Sequence, residues 1–278
     1  MLIKEKENSS SMSDQDTTTK SAIMFGCGNM GQALLSGWAD AGVFNWTVID
    51  PANPDLGDLA NVLTDANALK DTSFDLVVIA VKPQLIPVVM DASGDLIRSA
   101  DLVLSIAAGV SVSTLEKQLG ATPIIRMMPN MPASVGKGLS GLYPNAHCSA
   151  AHKDVIADIA AHNGEFVWLT DEEQVDRFTA IAGSGPGYIF EFLRLFTLAA
   201  MEQGFDAETA RKLAIGTVAG SAEMAAQSEK SLEDLRNSVT SKNGTTQAGL
   251  EQLMRGDTLK QLLSDTANAA YSRAVELR

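Results

Sequence analysis

The chain has 278 residues, 45% of them hydrophobic and 20% charged, enough for one large or two ordinary domains with a substantial core. Its formal net charge of -13 argues against nucleic acid and anionic membrane as partners, because like charge repels both. Two cysteines, Cys27 and Cys148, make neither a disulfide framework nor a metal cluster, and no apolar run reaches membrane-spanning length. A reducing, cytoplasmic setting is expected, with no metal.

Residues 1–20 are polar and Ser/Thr-rich, without apolar periodicity or the apolar stretch of a secretory signal; they read as a disordered tail. A short apolar run, Ala22 to Phe25, then reads as a strand. Gly26-Cys27-Gly28-Asn29-Met30-Gly31 follows, and Gln32 to Gly42 repeats apolar residues at helical spacing. Strand, G-x-G-x-x-G and helix together form a dinucleotide fingerprint. Gly26 allows the tight turn, Gly28 clears space for a pyrophosphate, and Gly31 lets the helix approach the strand. The helix N-terminus offers free N–H groups to the phosphates. About twenty residues on, a second apolar run, Trp46 to Ile49, ends in Asp50, placed for a ribose.

Pro51-Ala52-Asn53-Pro54 is a turn, and Leu56 to Leu69, with Asn67 near its end, is a weakly patterned segment. Asp75 to Val81 reads as a fully buried strand stopping at Lys82-Pro83, with a helix over Gln84–Ile97. Asp101 to Ile106 is a fourth strand, followed by Ala107-Ala108-Gly109. Ser113 to Glu116 fits a capping box for a short helix to Leu119. Pro123 to Met128 is a fifth strand, ending in Pro129-Asn130-Met131-Pro132. Gly138–Tyr143 and Gly164–Leu169 add strands around a helix over Val155–His162. Alternating strands and helices predict an α/β domain with a Rossmann-type, doubly wound parallel sheet over residues 21–172.

Thr170-Asp171-Glu172-Glu173 is another capping-box pattern, and from 173 to 278 no strand is predicted. Val175–Ala182, Tyr188–Gly204, Ala207–Gln227, Leu232–Val239, Gln247–Met254 and Leu259–Leu277 all read as helices, several apolar on all sides and rich in small residues. Such faces suit either a self-contained bundle or an oligomer interface.

In an open parallel sheet the ligand crevice lies at the carboxyl ends of the strands. Those ends are Gly26 to Gly31, Asp50, Ala80-Val81-Lys82-Pro83, Ala107-Ala108-Gly109 and Met128-Pro129-Asn130. Lys82 is the cation among them, and Asn130, stiffened between two prolines, suits either a polar contact to the substrate or a plain structural turn. In the helical part, Ala182 to Tyr188 is a glycine-rich loop that presents Ser184. Ser241-Lys242-Asn243-Gly244-Thr245-Thr246 precedes a helix and suits a carboxylate, or else a plain helix cap. His147, His152 and His162 have no metal-ligand spacing and read as structural. No nucleophile–histidine set is apparent, which suits chemistry carried by a cofactor.

Taken together, FGCGNMG, AVKP, SIAAGV, MPNMPA, GSGPGY and NGTT resemble the pyrroline-5-carboxylate reductases in order and approximate spacing, from about Ser21 onward. The resemblance implies an all-helical dimerisation domain after the Rossmann domain, a homodimer or larger assembly, and NAD(P)H-dependent reduction of L-Δ1-pyrroline-5-carboxylate to L-proline. It implies that Gly26, Cys27, Gly28, Asn29, Met30, Gly31, Asn67, Ala80 to Pro83 and Ala107 to Gly109 line the dinucleotide. It implies that Ser184, Ser241, Gly244, Thr245 and Thr246 surround the substrate, with Thr246 nearest the ring nitrogen. NADPH is common in the family, whereas Asp50 argues for NADH. Four positions differ from the family's usual motifs: Met131, Lys242 and Asn243 in place of Pro-Gly, and Gly187 after Pro186. The alternatives are another Rossmann imine or 3-hydroxy-acid reductase, and a non-catalytic dinucleotide sensor with no need of the 241–246 loop.

Overall fold

The computed structural model describes residues 19–69 and 72–278. The tail expected over 1–20 lies outside this range except for Thr19 and Lys20, and Lys20 already opens the first strand. Eight strands form one sheet in the order β3-β2-β1-β4-β5-β6-β7-β8. They are β1 (Lys20–Phe25), β2 (Phe44–Ile49), β3 (Asn61–Leu63), β4 (Leu76–Ile79), β5 (Leu102–Ser105), β6 (Ile124–Met128), β7 (Gly138–Pro144) and β8 (Gly164–Trp168). β3 falls in the weakly patterned segment and is only three residues long, too short to show a periodicity.

All neighbouring pairs are parallel except β6 and β7. The connection 129–137 is shorter than the roughly twelve or more residues a parallel crossover needs, so β7 returns antiparallel. Helices α1 (Asn29–Asp40), α2 (Ile86–Arg98), α3 (Val112–Leu119) and α4 (Ala150–Ala161) link the strands. β4 and β5 are buried along their whole lengths, which explains their unbroken apolar runs. Two apolar clusters cover the two faces. One holds Leu34, Leu35, Trp38, Trp46 and Ile156; the other holds Ile79, Ile97, Leu115 and Ile124.

Capping differs from expectation at two helices. Ser111, not Ser113, caps α3, its hydroxyl accepting from Thr114 N–H at 3.0 Å, while Glu116 accepts from Asn145 instead. Ser111 is the residue whose extended backbone aims its oxygen at the first turn. At the entry to the helical part, Asp171 Oδ1 accepts from Gln174 N–H and Gln174 Oε1 accepts from Thr170 N–H, so the reciprocal pair does not involve Glu173. α4 carries a reciprocal box of Ser149 and His152, which gives His152 a structural task.

The helical part runs through α5 (Glu173–Phe178), a π-helical turn (Thr179–Gly183), α6 (Gly185–Glu202), α7 (Ala207–Ala226), α8 (Leu232–Ser238), α9 (Thr245–Leu253) and α10 (Thr258–Glu276). α6 and α7 pack on each other, and α10 packs back on α5 and the π-turn. α8 and α9 pack extensively on no other element. α6 buries none of its 18 residues within one chain, and Phe190 is 66% exposed. No helix among the described residues is long and apolar enough to cross a membrane.

Helix α1 lies against α4 through Gly37. A Cβ there would fall 2.5 Å from Asn163 Nδ2 and 3.0 Å from the His162 carbonyl oxygen. Asn163 Nδ2 donates to the Ala33 carbonyl at 3.1 Å, so it has little freedom to yield. Gly37→Ala should therefore destabilise the fold by about 1–3 kcal/mol through overpacking, despite the better helix propensity of alanine. Urea melts of the two proteins check this; equal or greater stability of the variant would show that the α1–α4 contact relaxes freely.

Candidate active site

The pairing register brings the strand ends level. Phe25 pairs with Ile79 and Ile49, Ile79 with Ser105, and Ser105 with Arg126. The residues that follow, Gly26, Asp50, Ala80-Val81 and Ile106-Ala107, therefore lie along one edge. The strand order turns outward between β1 and β4, which is where an open sheet leaves a crevice.

Gly26 occupies the left-handed region at φ +84. A Cβ on it would lie 2.8 Å from Val81 Cγ1 and 3.1 Å from the Ala80 carbonyl oxygen, so no side chain fits between β1 and β4. Gly28 is the N-cap of α1, without a side-chain cap, and a Cβ there would meet nothing within 4 Å. The first turn of α1 thus points its backbone N–H groups into open space, a cradle that fits a pyrophosphate. At Gly31 a Cβ would be 3.4 Å from both the Gly26 carbonyl oxygen and Met24 Sδ, the close helix–strand approach the spacing predicts.

Asp50 is held on both oxygens. Oδ2 accepts from Cys27 N–H at 2.8 Å and Oδ1 from Ala52 N–H at 2.9 Å. The carboxylate caps the Pro51-Ala52 turn and also ties the end of β2 to the glycine turn. Each oxygen keeps a further lone pair for a hydroxyl donor. Cys27 is buried, and desolvation first and the Asp50 charge second push its thiol up to about 11, so it stays protonated at neutral pH. Lys82 is exposed at the mouth of the edge, and Asn67 is exposed at the start of a short 3₁₀ turn.

The glycine-rich segment over Ala182–Tyr188 is not a loop. It is the π-turn running directly into α6, closed by Ser184 N–H donating to the Thr179 carbonyl at 2.8 Å. π-turns of this kind are frequent at functional sites. Asn130 fixes this turn: its Nδ2 donates to the Ala182 carbonyl at 3.0 Å, while its Oδ1 accepts from Leu139 N–H at 2.9 Å. Asn130 is buried, with its amide engaged inside the chain, so it acts on the site by holding the turn that carries Ser184.

The 241–246 segment is exposed and stands apart from the sheet edge of its own chain. Gly244 is the N-cap of α9 and has no side-chain cap, so neither Thr245 nor Thr246 serves as one. Ser241 Oγ occupies the space a Cβ on Gly244 would need. Asn243 sits at φ +61, a conformation asparagine tolerates better than other residues with a side chain, and its N–H donates to Gln247 Oε1 at 2.7 Å.

A charged cluster below the edge gives no signal in the sequence. Arg126, on β6 and 3% exposed, lies 3.0 Å from Glu172 and 4.0 Å from Asp176. Arg278 Nη2 lies 2.8 Å from Asp176 Oδ2. Arg126 sits within an apolar strand and its partners lie 46 or more residues away, a separation that no local pattern reports.

A glycine-lined strand edge beside an uncapped helix is the geometry of a dinucleotide-binding protein, and comparison with known proteins narrows it to an oxidoreductase. Residues 172–277 match the family described as pyrroline-5-carboxylate reductase dimerisation, and residues 20–109 match that described as NADP oxidoreductase, coenzyme F420-dependent. The chain is 36% identical over 267 residues to a pyrroline-5-carboxylate reductase of Pseudomonas aeruginosa, covering 94% of this chain and 97% of that one. A Coxiella burnetii pyrroline-5-carboxylate reductase structure superposes with a TM-score of 0.83 at 32% identity, covering 93% of this chain and 98% of that one. A Plasmodium falciparum pyrroline carboxylate reductase with NADP bound superposes with a TM-score of 0.82 at 27% identity and the same coverage. The chain belongs to the pyrroline-5-carboxylate reductase family. The matched dimerisation family also supports self-association, which the bare face of α6 requires.

Gly26→Ala tests the groove. The combination of φ +84 and a 2.8 Å approach to Val81 should force β1 and β4 apart at their ends. Dinucleotide affinity should fall by more than about tenfold, while far-ultraviolet circular dichroism stays native. Unchanged affinity in a folded variant would place the cofactor elsewhere.

Proposed function

We propose that this chain reduces L-Δ1-pyrroline-5-carboxylate to L-proline with a reduced nicotinamide dinucleotide. The observation that carries the reading is the joint presence of the Gly26–Gly31 groove and the uncapped, hydroxyl-lined start of α9, in a chain similar over nearly its full length to reductases of that name. A dinucleotide sensor accounts for the groove alone. Against the 3-hydroxy-acid reductases, Gly187-Tyr188-Ile189-Phe190 offers no lysine in the first long helix of the helical part.

The division of labour falls at residue 172. In residues 21–172, Gly26 to Gly31, Ala80 to Pro83 and Ala107 to Gly109 bind the dinucleotide, with Asn67 and Asp50 toward its ribose. In residues 173–278, Ser241, Gly244, Thr245 and Thr246 hold the substrate carboxylate on the N–H groups and hydroxyls at the head of α9, and Ser184 lines the substrate from the π-turn. When bound, the nicotinamide supplies a hydride to the C=N carbon. The chain positions the imine, excludes water and carries the carboxylate; the imine nitrogen takes its proton from solvent or a loop hydroxyl. Because α9 stands away from its own sheet, the loop of one copy meets the groove of a second, and a homodimer is the smallest complete unit.

Proline formation from pyrroline-5-carboxylate, with matched oxidation of NADH or NADPH, is the direct test; folded protein giving none with either cofactor refutes the reading. Thr246→Ala should raise the KM for pyrroline-5-carboxylate while leaving dinucleotide affinity nearly unchanged, at a cost of roughly 1.5–3 kcal/mol for one charge-assisted hydrogen bond. Unchanged KM and kcat in that variant would move the substrate elsewhere.

The cofactor preference rests on Asp50. Its bonds to Cys27 and Ala52 hold it in place, so the carboxylate cannot swing clear of a ribose placed over the turn. It accepts from ribose hydroxyls but repels a 2′-phosphate, at about 4 kcal/mol per unit charge for ~4 Å and a dielectric near 20 before screening. After screening, NADH should be favoured about ten- to a hundredfold in kcat/KM, equivalent to roughly 1.4–2.8 kcal/mol. Asp50→Ser should narrow that ratio. A wild-type preference for NADPH, or a ratio unmoved by the substitution, would remove Asp50 as the selector.

A further inference from the structure

The segment after β5 is gripped at two points, one at the C-terminal end of the helical part and one at the residue just before α5. Gly109 has φ +73, and a Cβ on it would lie 2.5 Å from the carbonyl oxygen of Leu277. Three residues further on, Val112 N–H donates to Glu172 Oε1 at 2.5 Å. Both gripping residues are fixed by the same charged cluster. Glu172 is paired with Arg126 at 3.0 Å, and the residue after Leu277, Arg278, is paired with Asp176 at 2.8 Å.

Asp176 is 1% exposed, and its Oδ2 has no hydrogen-bond partner among the described residues. The Arg278 contact is therefore an ion pair without hydrogen-bond alignment, and with Arg126 at 4.0 Å from Oδ1 it compensates the buried charge. Burial pushes the Asp176 carboxyl up; Arg278 first and Arg126 second pull it only part of the way back, and the Glu172 and Glu173 charges push it up again, so it stays above the usual carboxylate range. A buried carboxylate compensated in this way holds its cation strongly, because releasing it leaves the charge unpaired. Arg278 follows α10 directly, with its N–H donating to the Val275 carbonyl, so seating its side chain also seats Leu277.

We propose that Arg278 and Asp176 are positioning residues for the dinucleotide: their ion pair holds Leu277 over Gly109 and so fixes the Ala107–Val112 segment in the conformation that lines the groove. The inference rests on the proposed placement of the dinucleotide along Ala107 to Gly109. The helical part then contributes to cofactor affinity through backbone placement, in addition to holding the substrate.

The test uses the full chain and two readouts: dinucleotide dissociation constants from fluorescence titration, and steady-state kinetics with pyrroline-5-carboxylate. In Arg278→Ala the dinucleotide dissociation constant and KM should rise about tenfold, with kcat and the KM for pyrroline-5-carboxylate within about twofold of wild type. Arg278→Lys keeps the charge and should recover most of the affinity. In an Asp176→Asn background, Arg278→Ala should add less than about twofold, because the two residues act as one unit. If Arg278→Ala does not fold, Arg278→Gln, which keeps much of the aliphatic stem, gives the same reading. Wild-type dinucleotide affinity in the folded variant, with or without a lower melting temperature, overturns the inference and leaves the proposed function standing. A wild-type chain that binds neither dinucleotide overturns both.

Discussion

The packing of Gly26 between β1 and β4 is the constraint on which the site depends. Two adjacent parallel strands end level, and the chain must leave β1 through a gap where a Cβ would lie 2.8 Å from Val81. Only a residue without a side chain, in the left-handed region, makes that exit. The consequences spread outward. The turn presents Cys27 N–H to Asp50, which draws the end of β2 to the same place. It starts α1 at Gly28 with no side chain to cap it, so the helix's first N–H groups are left for a ligand. The proposed anion site is thus a by-product of sterics at the strand ends, and it needs no charged side chain.

Burial in the sheet made β1, β2, β4, β5 and β6 readable as apolar runs, and the glycine spacing made the groove readable with them. Features set by distant contacts were not readable. β3 pairs in the sheet with β2, over Thr47 to Ile49, and carries no period of its own. The glycines around Ser184 signalled an unusual backbone, but glycine is as frequent in turns as in a π-bulge, and only the Ser184–Thr179 and Asn130–Ala182 bonds distinguish the two. Ser113 and Thr170 each match a capping motif, yet the backbone gives the capping tasks to Ser111 and Asp171. The Arg126, Asp176 and Arg278 cluster joins three elements far apart in sequence and left no local trace.

The helical part shows the opposite imbalance. Its residues are regular enough to be read as helices, but one chain cannot bury them. α6 has no buried residue, and exposed apolar side chains continue through Phe205, Leu213, Met224 and Leu263. An apolar surface of that extent is stable in water only when covered, and the matched dimerisation family identifies another copy as the cover. The same incompleteness extends to α9, which carries the hydroxyl-lined loop yet lacks support from its own sheet. On the proposed reading, folding, assembly and the substrate site are one problem for this chain: the surface that needs a second copy for stability belongs to the part assigned to the substrate. The groove is set within a single chain, whereas the proposed site needs a second copy to bring the loop to it.

Complementation between two inactive variants tests that arrangement most directly. One variant carries Gly26→Ala in the groove, and the other carries Thr245→Val with Thr246→Val in the loop. The two are unfolded together at equal amounts, refolded, and assayed for proline formation. If each site combines the groove of one copy with the loop of another, half the dimers are mixed and each has one intact site, so about a quarter of wild-type activity returns. If each site lies within one chain, every site in the mixture carries a lesion, and activity stays at the level of the separate variants.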